Sequence, residues 1–226
     1  MDLVVIPARG GSKGILDKNI KKLSGKPLIL YTVEVARKLF SDSEIVVSTD
    51  SQRIKEIIEK CGLKVPFLRP PSLSTDLTPM NDVILHALDY FERSFKTPHK
   101  IILLQPTSPL RDQNHLKGAI ELFNDEIDLL VSVKKTDSNP YYVQFEENNK
   151  GFLEKSKDGV FYRRQDCPDV WELNGAIYIY NTNSVKNFGL KNLKKIKKFI
   201  MDDKSSIDID SQIDFDLAEL LINRLK

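Results

Sequence analysis

The sequence predicts an α/β fold in which a mostly parallel sheet carries helices on both faces. Short apolar runs typical of buried strands alternate with longer stretches of helical periodicity through the first half of the chain. Glycine, proline or aspartate follows most of these segments and marks their ends. The chain has 226 residues, which suits one globular domain with a sizeable core.

The regular alternation begins with an apolar strand over 3–7. A helix over 28–39 follows Gly25-Lys26-Pro27, and its apolar residues have helical spacing. The elements predicted next are a strand over 44–48, a helix over 51–61 that Gly62 stops, a short strand over 65–68, a helix over 79–95, a strand over 100–104, a helix over 115–124 and a strand over 129–133.

The pattern changes after residue 133. Residues 137–169 contain scattered aromatic side chains, the turn signals Asn148-Asn149 and Asp158-Gly159, and no clean helix. We interpret this region, extended to 137–172, as a β-hairpin excursion from the main sheet. Strands are predicted again over 176–180 and 199–201, the basic run over 191–198 as a solvated helix face, and a closing amphipathic helix over 214–225.

Composition excludes several classes of protein. The 34 basic and 32 acidic residues give a net charge of +2, which leaves no bulk basic field for nucleic acid. Cys61 and Cys167 fit no metal or redox spacing and indicate free thiols in a reducing compartment. The sequence begins with a strand rather than a signal peptide, and no apolar run reaches the ~20 residues of a membrane span. We therefore expect a cytoplasmic protein whose partners are neither membranes nor nucleic acids.

The most informative segment is the glycine-rich turn after the first strand. Residues 7–14 read PARGGSKG, and Lys18 and Asn19 follow. Glycines let backbone N–H groups approach oxyanions, and cationic side chains neutralise them, so the segment predicts a phosphate site. The spacing matches neither GxGxxG nor GxxxxGK[ST], which disfavours an NAD enzyme or a P-loop ATPase. On the glycines alone, a tight turn with surface charges is an equal alternative.

Polar motifs follow three of the predicted strands. Arg9-Gly10-Gly11 follows the first, Ser48-Thr49-Asp50 the second, and residues 105–108 follow the strand over 100–104. In open parallel sheets, ligands bind beyond the carboxyl ends of the strands. The agreement of three motifs favours a binding site at this edge over three connecting loops.

Asp208 and Asp210 form a second strong feature. In an extended segment alternate side chains share a face, so the two carboxylates point the same way. They repel unless a cation lies between them, and carboxylates beside a phosphate suit Mg²⁺. A solvent-facing acidic pair, or capping of the last helix, is the alternative. The phosphate-type turn at the other end of the chain favours the metal.

Two further positions are compatible with an anionic ligand. Arg164 lies in the excursion, where a surface charge is the default, but its guanidinium would pair well with a carboxylate. Gly175 follows Asn174 just before the strand over 176–180 and would permit a close backbone approach. A plain turn explains this glycine equally well.

Together these motifs resemble the acylneuraminate cytidylyltransferase family, the CMP-sialic acid synthetases. The resemblance runs almost end to end through six motifs in the family's order: IPARGGSKG (6–14) with Lys18-Asn19, VVSTD (46–50), Arg69-Pro70, LQPTSPLR (104–111), NGAIYIY (174–180) and SIDID (206–210). The related Kdo cytidylyltransferases share the IPAR strand end but lack the GGSKG continuation. The resemblance implies one Rossmann-like nucleotidyltransferase domain over 1–226, with 137–172 as a dimerisation excursion.

By that resemblance the enzyme would transfer CMP from CTP to the anomeric hydroxyl of a nonulosonic acid and release pyrophosphate, with Mg²⁺ or Mn²⁺ as its cofactor. Such chemistry depends on positioning and charge neutralisation. The implied nucleotide contacts are Ala8, Arg9, Gly10, Gly11, Ser12, Lys18, Asn19 and Arg69; the sugar contacts are Gln105, Arg164, Asn174 and Tyr178; the metal ligands are Asp208 and Asp210; and the catalytic residues are Arg9, Lys18 and Asp210.

The resemblance also implies a homodimer in which the excursion reaches across, so that Arg164 would serve the neighbouring subunit's site. Departures from the family pattern at Tyr142, Glu172 and Lys191-Asn192 leave the sugar open between N-acetylneuraminate and a legionaminate or pseudaminate type. Another sugar nucleotidyltransferase with a Kdo-like acceptor is an alternative, and so is a nucleotide-binding module without catalysis. The cationic and acidic residues of the two end motifs argue against an inactive module.

Overall fold

The computed structural model describes residues 1–11 and 14–224. Its strands and helices in chain order are β1 (Leu3–Pro7), β2 (Lys22–Leu23), β3 (Lys26–Pro27), α1 (Leu28–Arg37), β4 (Ile45–Ser48), α2 (Gln52–Lys60), α3 (Met80–Ser94), β5 (Lys100–Leu104), α4 (Gln113–Leu122), β6 (Leu129–Lys135), β7 (Phe145–Glu147), β8 (Leu153–Lys155), β9 (Trp171–Asn181), α5 (Thr182–Phe188), β10 (Ile196–Ile200) and α6 (Gln212–Arg224). Within these described ranges, no helix is both long enough and apolar enough to cross a membrane.

The central sheet, as far as the structure describes the chain, has six strands in the order β10-β6-β9-β5-β1-β4. β1 pairs in parallel with β4 and β5, and β6 pairs in parallel with β10. β9 alone among these strands runs antiparallel to its neighbours, β5 and β6. The expected mostly parallel α/β fold is confirmed.

Apolar layers cover both faces of the sheet, as the pleat requires. Val4 and Ile6 of β1 point to the layer that contains α1, α2 and α4. Leu3 and Val5 alternate with them and point to the layer that contains α3. Because both faces are buried, β1 reads as a continuous apolar run rather than an alternating one.

A third apolar cluster joins the two ends of the chain. Phe215 and Ala218 of α6 pack with Leu28 at the start of α1 and with the buried Ile209. This packing carries the segment around Asp208 back to the loop that follows β1. The two strongest sequence motifs are therefore neighbours in space.

Side-chain caps start two of the helices that surround the sheet edge. The Ser51 hydroxyl accepts from the Ile54 N–H at the start of α2, and Gly62, with φ +87°, follows its end. The Asp112 carboxylate accepts from the N–H groups of Asn114 and His115 at the start of α4. The loop after β5 is consequently held between its strand and a capped helix.

The antiparallel strand β9 explains why one motif lies where it does. Leu104 at the end of β5 pairs with Ile177, so the first half of β9 extends to the carboxyl edge of the parallel strands. A register shift between Val131 and Val133 interrupts its pairing with β6 at this level. Asn174 and Gly175 therefore lie inside a long strand, and the expectation that they precede it is wrong.

Two other predictions of secondary structure are also wrong. Residues 65–68 form no strand, and only an isolated bridge joins Leu68 to Thr49, because Pro66 and Pro70 limit the pairing of this segment. The basic run ends in β10, not in a helix. Lys197 and Lys198 lie on this strand at the edge of the sheet, a place where lysine discourages further pairing.

The excursion contains a small antiparallel hairpin. Phe145 of β7 pairs with Lys155 of β8, and Glu147 pairs with Leu153. The turn between them is built on Asn148, whose side-chain Oδ1 accepts from the backbone N–H groups of Lys150 and Phe152. The predicted hairpin is present inside 137–172.

Candidate active site

A cleft of about 430 Å³ opens at the carboxyl ends of β1 and β5. The loop after β1, the loop over 69–78 and the loop after β5 contribute to its lining, together with Asp208 and Asp210. Two of the three strand-end motifs thus line one cleft. The third motif ends in Asp50, which supports the loop after β1 without lining the cleft.

Hydrogen bonds shape the loop after β1. The Ala8 N–H donates to the Ser48 carbonyl at 2.9 Å, which continues the β1–β4 pairing by one residue. The buried Asn19 amide donates to the Arg9 carbonyl at 3.0 Å, and the Gly10 N–H donates to Asp50 Oδ1 at 2.8 Å. Gly10 is therefore not a free phosphate donor in this arrangement. Gly11 is exposed, and Ser12 lies outside the described residues.

Lys18 joins this loop to the acidic segment. Its ammonium donates to the Ile209 carbonyl at 2.6 Å and to Asp210 Oδ1 at 3.0 Å. Gly14 packs so closely against Asp210 that a Cβ atom placed on Gly14 would lie 2.2 Å from the Asp210 carbonyl oxygen. The glycine-rich turn and the acidic segment are therefore in direct contact.

Asp208 lies at the most buried part of the acidic pair. Its Oδ1 is shielded from solvent and has no hydrogen-bond partner among the described residues. Burial is the main cause that raises the pKa of this carboxyl, and the charge of Asp210 adds to it, while the Thr107 side chain and the charge of Lys18 oppose the rise. A backbone bond from the Ile209 N–H to the Thr107 carbonyl, at 2.9 Å, ties the segment to the loop after β5. An unsatisfied carboxylate oxygen beside a second carboxylate is a suitable donor set for a hard cation.

Two arginines face the cleft. Arg9 pairs with Asp76 of the 69–78 loop. Arg69 is buried and donates to Ser74 Oγ at 3.2 Å. Burial lowers the pKa of Arg69, Asp50 opposes this shift and Arg9 adds to it. Arg9, Arg69 and Lys18 all line this cleft, and such a gathering of cationic groups suits a polyanionic ligand.

The four residues expected at the sugar do not gather in the same way. Gln105 lines the cleft. Asn174 is buried. Its side-chain Oδ1 accepts a hydrogen bond from the Ser132 hydroxyl at 2.6 Å, and its Nδ2 donates to the Ser206 hydroxyl at 2.9 Å. Asn174 therefore holds β9 against its neighbours in this structure and does not line the cleft.

Tyr178 and Arg164 lie elsewhere. Tyr178 stacks on Tyr180 with ring centroids 6.4 Å apart and lines a separate apolar groove beside α3, and burial raises its pKa. Arg164 is exposed in the excursion, 3.3 Å from Asp137. Within one chain, neither side chain lines the cleft.

Sequence reasoning assigned no role to Asp50, Thr107 or Arg111. Asp50 and Thr107 stand in motifs at strand ends, so their position was the available signal. Arg111 closes the LQPTSPLR motif, yet no periodicity marks it, and its burial becomes visible only in three dimensions.

Comparison with known proteins agrees with this geometry. The model of one family, described as cytidylyltransferase, matches residues 3–222. The chain belongs to this cytidylyltransferase family.

Relatives of the cytidylyltransferase include one from Campylobacter jejuni, named CMP-N,N'-diacetyllegionaminic acid synthase, which is 36% identical over 98% of this chain and 94% of its own. The Campylobacter coli protein named post-translational flagellin modification protein B is 35% identical over 97% of this chain and 94% of its own. The N-acylneuraminate cytidylyltransferase of Streptococcus agalactiae is 33% identical over 94% of this chain, but the match spans only 51% of that protein.

A solved structure supports the fold. It is described as CMP:2-keto-3-deoxy-manno-octonic acid synthetase complexed with CTP, and it matches with a TM-score of 0.70 over 100% of this chain and 99% of its own. The sequence identity is 17%, so the likeness concerns architecture alone.

Proposed function

We propose that this cytidylyltransferase transfers CMP from CTP to the anomeric hydroxyl of a nonulosonic acid. The hydroxyl oxygen attacks the α-phosphorus and forms a new oxygen–phosphorus bond. The bond from the α-phosphorus to its bridging oxygen breaks, pyrophosphate leaves, and the hydroxyl proton passes to solvent or a base. The observation that carries the proposal is the meeting of Lys18 with Asp208 and Asp210 at one cleft. The sequence relatives named for CMP transfer to sugar acids support it.

The cations of the cleft suit a triphosphate. Arg9, Lys18 and Arg69 all line it. Phosphoryl-type transfer needs charge neutralisation more than covalent participation by the protein, and preorganised cations supply it without reorganisation. We assign Arg9 and Lys18 to the phosphates, Asn19 and Arg69 to the rest of the nucleotide, and the exposed Gly11 to a backbone contact. The N–H groups of Ala8 and Gly10 already donate to Ser48 and Asp50.

Mg²⁺ is the metal that these residues fit. Across the described ranges, no group of three or more His, Cys, Asp and Glu side chains could hold a metal ion. We assign Asp208 and Asp210 as two ligands of a site whose other ligands would be phosphate and water, the arrangement that Mg²⁺ favours. When bound, the ion would neutralise phosphate charge and lower the pKa of the attacking hydroxyl. The unpartnered Oδ1 of Asp208 supports this assignment.

The sugar acid would lie beside Gln105, on the side of the cleft nearest β9. Arg164 would pair with a carboxylate, but within one chain it lies outside the cleft. We therefore assign it to the site of a second subunit. Tyr178 is assigned to the outer part of the sugar through the apolar groove, and Asn174 to holding the strand that carries them.

The homodimer has support in exposed apolar surface. Phe152, Leu153, Val160 and Tyr162 in the excursion are all more than half exposed. On the sheet, Leu173, Ile196 and Ile200 are also more than half exposed, on strands that border the apolar groove. Large exposed apolar patches mark interaction surfaces. We propose that the excursion of one subunit covers this sheet face of its partner.

Light scattering during size exclusion tests the dimer. The expected mass is twice 25.9 kDa for the natural chain, and the double variant Leu153→Asp with Tyr162→Asp is expected to be monomeric. Ile213→Asp removes an equally exposed apolar side chain from α6 and serves as the control, which should stay dimeric. A monomeric natural chain at micromolar concentration would contradict the dimer.

The metal assignment is tested by Asp208→Asn and Asp210→Asn in a pyrophosphate-release assay with CTP and Mg²⁺. Both variants are expected to lose turnover at least 100-fold while keeping the far-ultraviolet circular dichroism of the natural chain. Asp216→Asn, a similar change at an exposed position of α6, is the control and should keep normal turnover. Undiminished turnover in Asp210→Asn would overturn the metal assignment.

A further inference from the structure

Arg111 is buried in the middle of the fold, with a relative exposure of 2%. Its Nη1 donates to the Ala176 carbonyl at 2.7 Å and to the Gln105 carbonyl at 3.2 Å. Its Nη2 donates to Thr32 Oγ1 at 2.6 Å. Its Nε is also buried and has no partner in the described part of the chain.

Among residues 1–11 and 14–224, no carboxylate forms an ion pair with this guanidinium, and burial alone shifts its pKa. Burying an unpaired charge is costly, and burial lowers the pKa of Arg111 to about 9. A well-packed apolar side chain would stabilise the fold better than a charge without a counterion. The position of Arg111 therefore indicates a role other than stability.

The three acceptors of Arg111 connect three elements beside the cleft. Thr32 lies on α1, Gln105 follows β5, and Ala176 lies on β9. The Thr32 hydroxyl also donates to the Gln105 carbonyl at 3.3 Å, which closes the arrangement. Arg111 thus fixes the backbone of a residue that lines the cleft and the backbone next to Gly175.

Gly175, next to Ala176, connects the hydrogen bonds of Arg111 to Asp208. Its φ is +73°, and a Cβ atom placed on it would lie 3.0 Å from Asp208 Oδ2 and 3.8 Å from Gln105 Oε1. A shift of the Ala176 backbone would therefore move the surface against which Asp208 and Gln105 rest. The guanidinium is buried, so solvent screens its charge only weakly.

We propose that Arg111 is a positioning residue of the cleft, which fixes Gln105 and the β9 backbone while its unpaired charge favours anionic ligands. The identity of those ligands as CTP and a sugar acid rests on the proposed function. The inference itself requires only that an anion binds in the cleft. It predicts that the charge of Arg111, and not only its volume, contributes to binding and turnover.

The experiment compares Arg111→Met, which keeps length without charge, with Arg111→Lys, which keeps the charge. Arg93→Met, on the exposed face of α3, is the matched control. Calorimetric titration with CTP alone gives affinity, and pyrophosphate release gives kcat and KM for the sugar acid. We expect Arg111→Met to weaken CTP binding at least fivefold and lower kcat/KM at least tenfold. Arg111→Lys should recover part of both losses, and Arg93→Met should change neither.

Two results overturn the inference. One is a folded Arg111→Met with the affinity and kcat/KM of the natural chain. The other is an Arg111→Lys as impaired as Arg111→Met while CTP affinity stays normal in both, because that pattern describes packing alone. If Arg111→Met does not fold, Thr32→Val decides, since it is nearly isosteric and removes one acceptor of the guanidinium. It should lower kcat/KM at least threefold, and unchanged kinetics would overturn the inference.

Failure of the proposed function would look different. In that case the natural chain itself would release no pyrophosphate with any sugar acid. The titration with CTP, repeated with pyrophosphate as a plain polyanion, then still tests Arg111. Equal affinities of the natural chain and Arg111→Met for both anions would reject the inference, and a weaker Arg111→Met would support it.

Discussion

The Lys18 ammonium lies 3.0 Å from Asp210 Oδ1 across a separation of 192 residues in the chain. This contact joins the glycine-rich turn that begins the sequence to the acidic segment that precedes its last helix. In the proposed function, Lys18 contributes a cation for phosphate and Asp210 a carboxylate for a metal, so a metal-bound triphosphate would meet both.

Replacing Lys18 by Met is expected to lower kcat at least 100-fold, because removal of one preorganised group that stabilises transition-state charge typically costs about 10²–10³ in rate. The free energy of unfolding should fall by about 1–3 kcal/mol, because the Ile209 carbonyl loses its charged donor, whereas the mostly exposed Asp210 contributes little. Steady-state kinetics and urea unfolding measure the two quantities. Lys22→Met, on an exposed strand nearby, is the control, and a Lys18→Met enzyme within twofold of normal would refute this role.

Substitution Gly175→Ala should impair the site as well as the backbone. The residue has φ +73°, and its new Cβ atom would press on Asp208 Oδ2. Gly189 has φ +71° with nothing within 4 Å of the Cβ position, so Gly189→Ala has a positive-φ strain without the contact. Each variant should lose about 1–3 kcal/mol of stability, whereas only Gly175→Ala should lower kcat/KM tenfold or more. Equal activity in the two variants would contradict the prediction.

Asp76→Asn should improve the apparent affinity for CTP. Asp76 pairs with the Arg9 guanidinium in the structure, and a triphosphate must displace it to reach the same group. Partly exposed pairs contribute up to about 1 kcal/mol, which corresponds to at most a fivefold lower KM for CTP. Asp89→Asn breaks a similar pair with Arg93 far from the cleft and should leave KM unchanged. A higher KM in Asp76→Asn would show that Asp76 helps to hold the nucleotide.

The contribution of Asp128 to stability is expected to depend on pH. Its carboxylate accepts from the N–H groups of Lys194 and Lys195 and from the Ser184 hydroxyl, and the bond from Lys195 is the main cause that lowers the pKa of this carboxyl below its usual 3.8. The folded chain then binds fewer protons than the unfolded chain, so this stability is present above pH 3.8 and is lost as the pH falls through the folded pKa. Melting curves of Asp128→Asn should therefore differ most from the natural chain near neutral pH. If the difference in melting temperature between Asp128→Asn and the natural chain grew as the pH fell, the prediction would be contradicted.

The sequence predicted the sheet well wherever one physical signal dominated. Leu3–Pro7 and Lys100–Leu104 have the predicted bounds because central parallel strands are buried on both faces and read as unbroken apolar runs. The direction of β9 could not be predicted, because apolar alternation is the same for parallel and antiparallel pairing. The prediction of a helix face for the basic run over 191–198 was wrong for a related reason, because lysine is compatible with both an exposed helix face and an edge strand.

Within the site, local geometry was enough to predict where some side chains lie, while their roles stay predictions. Asp208 and Asp210 both line the cleft, as the alternation of an extended segment requires. The sequence could not indicate that the Asn174 amide forms hydrogen bonds with Ser132 and Ser206, because those partners come from distant parts of the chain. Arg111 was invisible for the same reason. Its burial depends on the packing of α1, β5 and β9 around it.

The measurement that tests the central claim most directly is pyrophosphate release with CTP and Mg²⁺ against N-acetylneuraminate, di-N-acetyllegionaminate, pseudaminate and Kdo. We predict release with at least one of the three nonulosonic acids, and weaker or no release with Kdo. The acceptor that reacts best then identifies the sugar. Silence with all three nonulosonic acids, in a folded protein that binds CTP, would contradict the proposed reaction.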